Sequence, residues 1–279
     1  MSTESWVLPG PQILDVEDVR SLRVQVVAGR VDVVVHDDDA ATGARLEVHS
    51  VRGRPLEVTL RDGELAVGYS FTLGGWEAFL DKVRTFTDKD AAEVHIAVPR
   101  HVAVRLGTVS ADALVAGVRQ DVSVSTVSGQ LAADSTRGAL RGNTVSGEIV
   151  VRDHAGDLRL NTVSGDLTAS GVLTRVNANS VSGDLTLDVR DTHSAIAVSS
   201  VSGDVTVRLP AGAGVRVEAR SATGRTVVDG RQHRAPSRGG ATEIEEPGHG
   251  PTVISTTSVS GHVTVLRGSS VPSASSAGA

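Results

Sequence analysis

The chain has 279 residues, no cysteine and a formal net charge of −6. This composition excludes disulfides, thiolate nucleophiles and cysteine-based zinc sites, and it argues against a general nucleic-acid binder, which needs a basic face. Aromatic residues make up only 2%, so Val, Leu, Ile and Ala must fill any core. Abundant Val with 30 Gly suits many short strands joined by tight turns. Residues 1–12 have neither the basic nor the apolar segment of a secretory signal, and no run approaches the roughly 18 apolar residues of a membrane helix. The expected location is the cytoplasm.

From Asp15 to about Val104 the pattern alternates without repeating. It predicts strands over 21–27, 31–36, 45–51, 55–60, 64–69 and 92–98, punctuated by Gly29, Gly43, Gly53 and the hairpin signal Asp62-Gly63. Trp76, Phe79, Leu80 and Val83 have helical spacing, which predicts one short helix over 76–83 covering an open edge or end of the sheet. The run His36-Asp37-Asp38-Asp39 carries metal-ligand residue types, but its place after a strand and before Gly43 reads as a charged loop. The other histidines form no metal-binding pair.

Beyond Leu106 the sequence repeats. Corner serines fall at Ser110, Ser128, Ser146, Ser164 and Ser182, in steps of 18; Ser202 follows after 20, Thr223 after 21 and Ser260 after 37. A fixed period near 20 means one unit stacked on copies of itself. One repeat reads Leu158-Arg159-Leu160-Asn161-Thr162-Val163-Ser164-Gly165-Asp166-Leu167. Strand side chains alternate, so Leu158, Leu160 and Thr162 share a face. After the glycine the apolar residues resume with shifted parity, as in Leu185, Leu187 and Val189. A parity shift at a glycine marks a corner. Each coil is therefore two strands meeting at a structural corner: Ser110, Ser128-Gly129, Ser146-Gly147, Ser164-Gly165, Ser182-Gly183, Ser202-Gly203 and Ser260-Gly261. Second corners fall at 153–156, 170–171 and 191–194. In this reading Gly turns the chain, Thr and Ser satisfy the turn, and Val with the following Leu fills the core.

The expected fold is all-β: an antiparallel N-terminal β layer with one short helix over 1–104, capping a β-solenoid of about 18-residue coils over 105–267. Roughly eight coils at the usual strand spacing give a rod near 40 Å. Residues 230–250, rich in Gly, Pro, Arg and Glu, are expected to be a mobile loop, and 268–279 a disordered tail.

Copies such as Thr162-Val163-Ser164-Gly165-Asp166-Leu167 resemble a bacterial adhesin-like family of unknown function, over about residues 20–267. The resemblance implies a β-solenoid after an antiparallel β segment, and association with the cell surface. It brings no catalytic residues.

The repeat also suggests two ligand arrays. Glu148, Asp166, Asp184 and Asp204 stack carboxylates, which are weak metal candidates; solvated turn carboxylates are the expected reading. Thr126, Thr144 and Thr162, if turned outward, form rows like an ice-binding face, but parity turns them inward to bond the corner backbone. Arg220, Arg225, Arg231, Arg234 and Arg238 surround the 230–250 segment and are balanced by Glu243, Glu245 and Glu246. No nucleophile elbow, phosphate loop or dinucleotide fingerprint occurs, so no catalytic residue and no cofactor is expected. A non-enzymatic scaffold or interaction protein is the favoured reading, with a protein partner or self-association through a solenoid end or flat face. The coil near 263–266 is the expected docking end. The alternatives are a carbohydrate-active β-helix enzyme and a polymer-forming cytoskeletal solenoid. Residues from Leu106 onward include no Trp, Tyr or Phe, which counts against a sugar cleft.

Overall fold

A computed structural model describes residues 3–36, 42–69, 90–233 and 241–268. The first strands are β1 (Thr3–Leu8), β2 (Gln12–Val16), β3 (Ser21–Val26), β4 (Ala28–Val35), β5 (Ala44–Arg52), β6 (Leu56–Arg61), β7 (Glu64–Gly68) and β8 (Ala91–Val98). The repeats supply β9 (Ala103–Thr108), β10 (Asp112–Ala116), β11 (Val122–Thr126), β12 (Leu131–Asp134), β13 (Arg137–Thr144), β14 (Ile149–Asn161), β15 (Leu167–Ser180), β16 (Leu185–Val189), β17 (Ala195–Ser200) and β18 (Val205–Leu209). The last are β19 (Ala213–Ser221), β20 (Thr226–Val228), β21 (Arg231–His233), β22 (Ala241–Glu246), β23 (His249–Ser258) and β24 (Val263–Arg267). Among the described residues there is no helix, and so none long and apolar enough to cross a membrane. The helix expected at 76–83 lies outside the described residues.

The strands form two layers, linked through the long strands β14 and β15. Sheet I runs β1-β6-β7-β3-β9-β11-β13-β14-β15-β17-β23-β19-β22. Sheet II runs β2-β5-β8-β4-β10-β12-β14-β15-β16-β18-β24-β20-β21. Thirteen levels at the usual strand spacing give a stack of about 60 Å, longer than the eight-coil estimate. Four of the extra levels come from the N-terminal region, where β3 pairs with β9 and β4 with β10 in parallel, so the stack continues across position 104; the fifth is the terminal β22 and β21 level.

The core lies between the layers. Val122, Val124 and Thr126 of β11 are buried while Ser123 and Ser125 are not, and burial resumes at Gly129, Leu131 and Ala133. The step from 126 to 129 is the parity shift of the corner. Second corners lie within continuous pairing: β14 and β15 run through 153–156 and 170–171 with register shifts. Gly171, at φ +145, sits where an added Cβ would collide with the His154 backbone, so only glycine fits.

One buried histidine closes this second corner. His154 Nε2–H donates to the Asp157 carbonyl at 3.2 Å, and Nδ1 accepts from the Thr136 hydroxyl at 3.0 Å. Burial holds its pKa below the ordinary 6.5, against the hydrogen bonds to Asp157 and Thr136 that raise it. Because the folded pKa is lowered, the unfolded chain binds the extra proton first. Stability from this site is present above about pH 6.5 and is lost as pH falls toward the lowered value. Melts at stepped pH check this: the wild-type Tm falls on acidification through that window, and His154→Asn shows a shallower fall there.

Both ends depart from the expected order. The last coil, β23–β24, does not stack outermost. It inserts between β17–β18 and β19–β20, so β24 is paired on both edges. The docking end expected at 263–266 is therefore inside the stack. The segment expected as a mobile loop supplies β21 and β22, which pair antiparallel on β20 and β19 and cover the end; 234–240 lie outside the described residues. Arg267 locks this closure, bonding Asp229 at 2.6 Å and the carbonyls of Ala213 and Pro247 at 3.2 Å. The end strand β22 exposes Glu243 and Glu245, charges that discourage further pairing. At the other end β1 and β2 are the outer strands, with Val7 and Ile13 exposed. Tyr69, buried with its hydroxyl pKa pushed up to about 12 by desolvation and by nearby Asp90, sits at the root of residues 70–89. Asp90 accepts the Arg54 amide at 2.9 Å at the other root.

Candidate functional site: the outer face of sheet I

The corner residues satisfy one another. Thr144 and Thr162 Oγ1 accept the amides of Gly147 and Gly165 at 2.8 and 2.9 Å. Ser180, Ser200 and Ser258 do the same for Gly183, Gly203 and Gly261. These hydroxyls are buried, so no outward threonine face forms at the corner. Replacing Thr162 by Val leaves a buried amide without its acceptor, at an expected cost of about 1–3 kcal/mol. Thr162→Ser restores the acceptor and most of the stability; urea midpoints at constant m check both.

The second corner position bonds between coils. The hydroxyls of Ser110, Ser128, Ser146, Ser164, Ser182, Ser202 and Ser260 each donate to the carbonyl of the preceding level, from Val27, Val109, Val127, Val145, Val163, Val181 and Val201. The valine between Thr and Ser points outward. Val145, Val163, Val181, Val201 and Val259 are 45–53% exposed, which corrects the expectation that this residue fills the core. A side chain between two bonded hydroxyl residues has only solvent left to face.

Three aspartates of the acidic column each accept a backbone amide of the next coil through one oxygen. Asp166 accepts the Asp184 amide at 2.9 Å, Asp184 the Asp204 amide at 2.8 Å, and Asp204 the His262 amide at 2.8 Å. Glu148, one carbon longer, accepts the Gln130 side-chain amide at 3.0 Å. Each carboxylate thus joins its coil to the next. Among the described residues no group of three or more His, Asp or Glu is arranged to hold a metal ion; Asp37–Asp39 lie outside them. Of the arginines expected around 230–250, Arg220 pairs with Glu218 and Arg231 with Glu246, while Arg216 takes Glu245; Arg234 and Arg238 lie outside the described residues.

Sheet I carries a feature that sequence reasoning missed. Register places Arg23 beside Arg105, then Ser123, Arg141 and Arg159, in one row across the strands. The neighbouring row is Gln25, Gly107, Ser125, Asn143, Asn161 and Asn179. Arg23 pairs with Glu64 at 2.8 Å, but Arg105, Arg141 and Arg159 are exposed and have no ion-pair partner among the described residues. The asparagines form an amide ladder: Asn179 donates to Asn161 and Asn161 to Asn143, both at 2.8 Å, and Asn143 to Ser125 at 3.3 Å. Where Gly107 interrupts the second row, a shallow groove of about 420 Å³ opens between Arg23, Arg105, Gln25 and Asn143. A smaller hollow of about 230 Å³ lies further along, between Arg141, Asp157, Arg159, Arg175 and Asn177. The signal was present in the repeat: Arg105, Arg141 and Arg159 each stand five residues before a corner serine, and Asn143, Asn161 and Asn179 three before.

A model of the family described as Toastrack DUF4097 matches residues 25–266. The chain belongs to this family. The match spans the repeats and the N-terminal strands from β4 onward, on both sides of position 104. A Toastrack domain is thus an all-β, solenoid-like stack here, and the adhesin-like family expected from the Thr-Val-Ser-Gly-Asp coils is the one found. Among solved structures, the chain is similar to a "putative cell adhesion protein" from Clostridium sporogenes. That match has 11% identity and a TM-score of 0.34, covering 92% of this chain and 100% of the other. No curated protein matches.

Proposed function

We propose that this Toastrack protein is a non-enzymatic, adhesin-like scaffold that holds a binding partner on the outer face of sheet I. The observation that carries the reading is the row of Arg105, Arg141 and Arg159, left without carboxylate partners on a flat face whose neighbouring row is polar. Some exposed arginines elsewhere are matched, Arg175 with Asp157, Arg190 with Asp153 and Arg216 with Glu245, while others such as Arg119, Arg152 and Arg208 also have no ion pair among the described residues. Arg105, Arg141 and Arg159 differ in that strand register brings them into one row. Unmatched like charges in adjacent strands destabilise a sheet slightly, so a partner that neutralises them gains free energy on binding. The corner rows and the acidic column are occupied in holding coils together and offer little to a ligand.

Co-sedimentation of the purified chain with bacterial envelope preparations tests the scaffold reading. Saturable sedimentation that Arg105→Ala, Arg141→Ala and Arg159→Ala together abolish is the expected result. Absence of sedimentation contradicts it. Release of new reducing ends from a polysaccharide panel would replace it with the carbohydrate-enzyme reading.

A further inference from the structure

We propose that β23–β24 is a late-inserted coil, which enters a stack where β19–β20 first lies directly on β17–β18. In the inserted order, the one observed, β23 separates β17 from β19 and β24 separates β18 from β20. In the direct order β17 meets β19, and β18 meets β20, at the register that β23 and β24 now mediate. Two packings of one sequence that differ by the insertion of a strand pair make a conformational device.

The sequence fits the direct order as well as it fits the other coils. Asp166 and Asp184 take the amides of residues 18 and 20 further on, the ordinary reach from coil to coil. Thr223 follows Ser202 after 21, so β19–β20 arrives at the open edge of β17–β18 at nearly the same spacing. The His262 amide reaches Asp204 across 58 residues. Closing the longer loop costs more chain entropy, so the nearer coil reaches that edge first.

What one corner demands of its neighbour is present in both coils. The Gly203 carbonyl leaves no room for a Cβ at Gly261, and Gly224, which now meets the Gly261 carbonyl in the same way, offers a second glycine for that place. The Val201 carbonyl receives the Ser260 hydroxyl, and Thr223, now bonded to the Val259 carbonyl, carries a hydroxyl at the equivalent position. Inside the stack, buried Val217 and Ala219 stand level with Ile254 and Thr256.

Insertion wins once the whole chain is in place. β22 and β21 hold the outer edges of β19 and β20, so in the direct order β23–β24 has no edge left to pair with. Ile254, Val263 and Val265, fully buried in the stack, then face water. Arg267, at the end of β24, also loses the carbonyls of Ala213 and Pro247. Two features show that simple coil-upon-coil growth does not produce this end. The Thr256 hydroxyl is buried with no hydrogen-bond partner among the described residues, a penalty that the direct order avoids. The link Pro247-Gly248 passes so close over the start of β19 that a Cβ at Gly248 would strike the Ala213 and Gly214 backbone. Through those two residues β22 and β23 clasp β19 from both sides, so β23 must part β19 from β17 to reach its place.

The chain has no cysteine, so paired substitutions supply its only thiols. Ala197, Ser255 and Glu218 share one outward row on β17, β23 and β19. A disulfide needs Cα atoms within about 7 Å, which spans one strand spacing and not two. Ala197→Cys with Glu218→Cys therefore crosslinks only in the direct order, and Ala197→Cys with Ser255→Cys only in the inserted one. Full-length chains are refolded from urea, oxidised in short pulses at increasing delays and read on non-reducing gels. The Glu218 pair is expected to crosslink within the chain at early delays, its yield then falling severalfold as that of the Ser255 pair rises with the same time constant. Asn177→Cys with Ala197→Cys, neighbours in both orders, crosslinks throughout. Adding Arg267→Ala prolongs the Glu218 crosslink. A Glu218 pair that never crosslinks while the Asn177 pair does, a Ser255 pair formed as early as the Asn177 pair, or crosslinks found only between chains would each overturn the proposal. Arg105, Arg141 and Arg159 lie on β9, β13 and β14, outside the exchanging strands, so binding on sheet I stands or falls separately.

Discussion

Gly165→Ala is expected to destabilise the protein by at least about 3 kcal/mol. The cause is not a left-handed backbone, since Gly165 does not adopt positive φ. A Cβ built there falls far inside van der Waals contact with the Gly147 carbonyl oxygen, and that atom belongs to the backbone of a stacked coil. Backbone can yield only by separating two levels, which breaks the hydrogen bonds that define the stack. Gly147, Gly183, Gly203 and Gly261 face the same obstacle, so the corner glycines form one column set by close approach. Gly10→Ala is the control: nothing lies within 4 Å of its added methyl, and the change should stay within about 0.5 kcal/mol. Urea melts of the two variants decide the matter. Equal stability would remove close stacking as the reason for the glycines.

Leu160→Ala should cost about 2–5 kcal/mol, whereas Val163→Ala, three residues on, should cost no more than about 0.5 kcal/mol. Leu160 is fully buried, and its side chain already reaches the space a Cβ at Gly142 would take. Its removal opens a cavity between two stacked levels, and in a solenoid that loss falls on both neighbouring interfaces. Val163 is 47% exposed and surrenders little. Thermal melts of the two variants check the contrast. A large loss at Val163 would return that residue to the core and overturn the corner geometry described above.

The period, the all-β class, the corner and its parity shift were legible in the sequence because each is a local pattern repeated many times. Thr162 reads as inward from Leu158 and Leu160 alone, and the structure buries it. Val163 misled because an apolar type at a corner says nothing about which way a turn presents it. The order of the last coils was hidden for a different reason. The step of 37 before Ser260 resembles a coil plus a loop, but it holds β21 and β22, and the coil after them returns to pair with β17 and β18. Strand partners chosen across more than 50 residues leave no local mark. Thr242 and Ile244 do alternate inward, a signal that surrounding Gly, Pro and Glu obscured. The arginine row lay between these extremes. Its spacing was periodic, but its meaning needed the register that sets Arg23 beside Arg105 and Arg141 beside Arg159.

Two kinds of ladder therefore divide the labour. Glycine, threonine, serine and aspartate columns close each coil onto the next, and the outward arginine and asparagine rows face the surroundings. Envelope co-sedimentation of the Arg105→Ala, Arg141→Ala, Arg159→Ala protein, with its Tm measured beside that of the parent, tests that division most directly. The account predicts that binding is lost while the Tm is unchanged. Binding that survives intact, or that disappears only together with the fold, would contradict it.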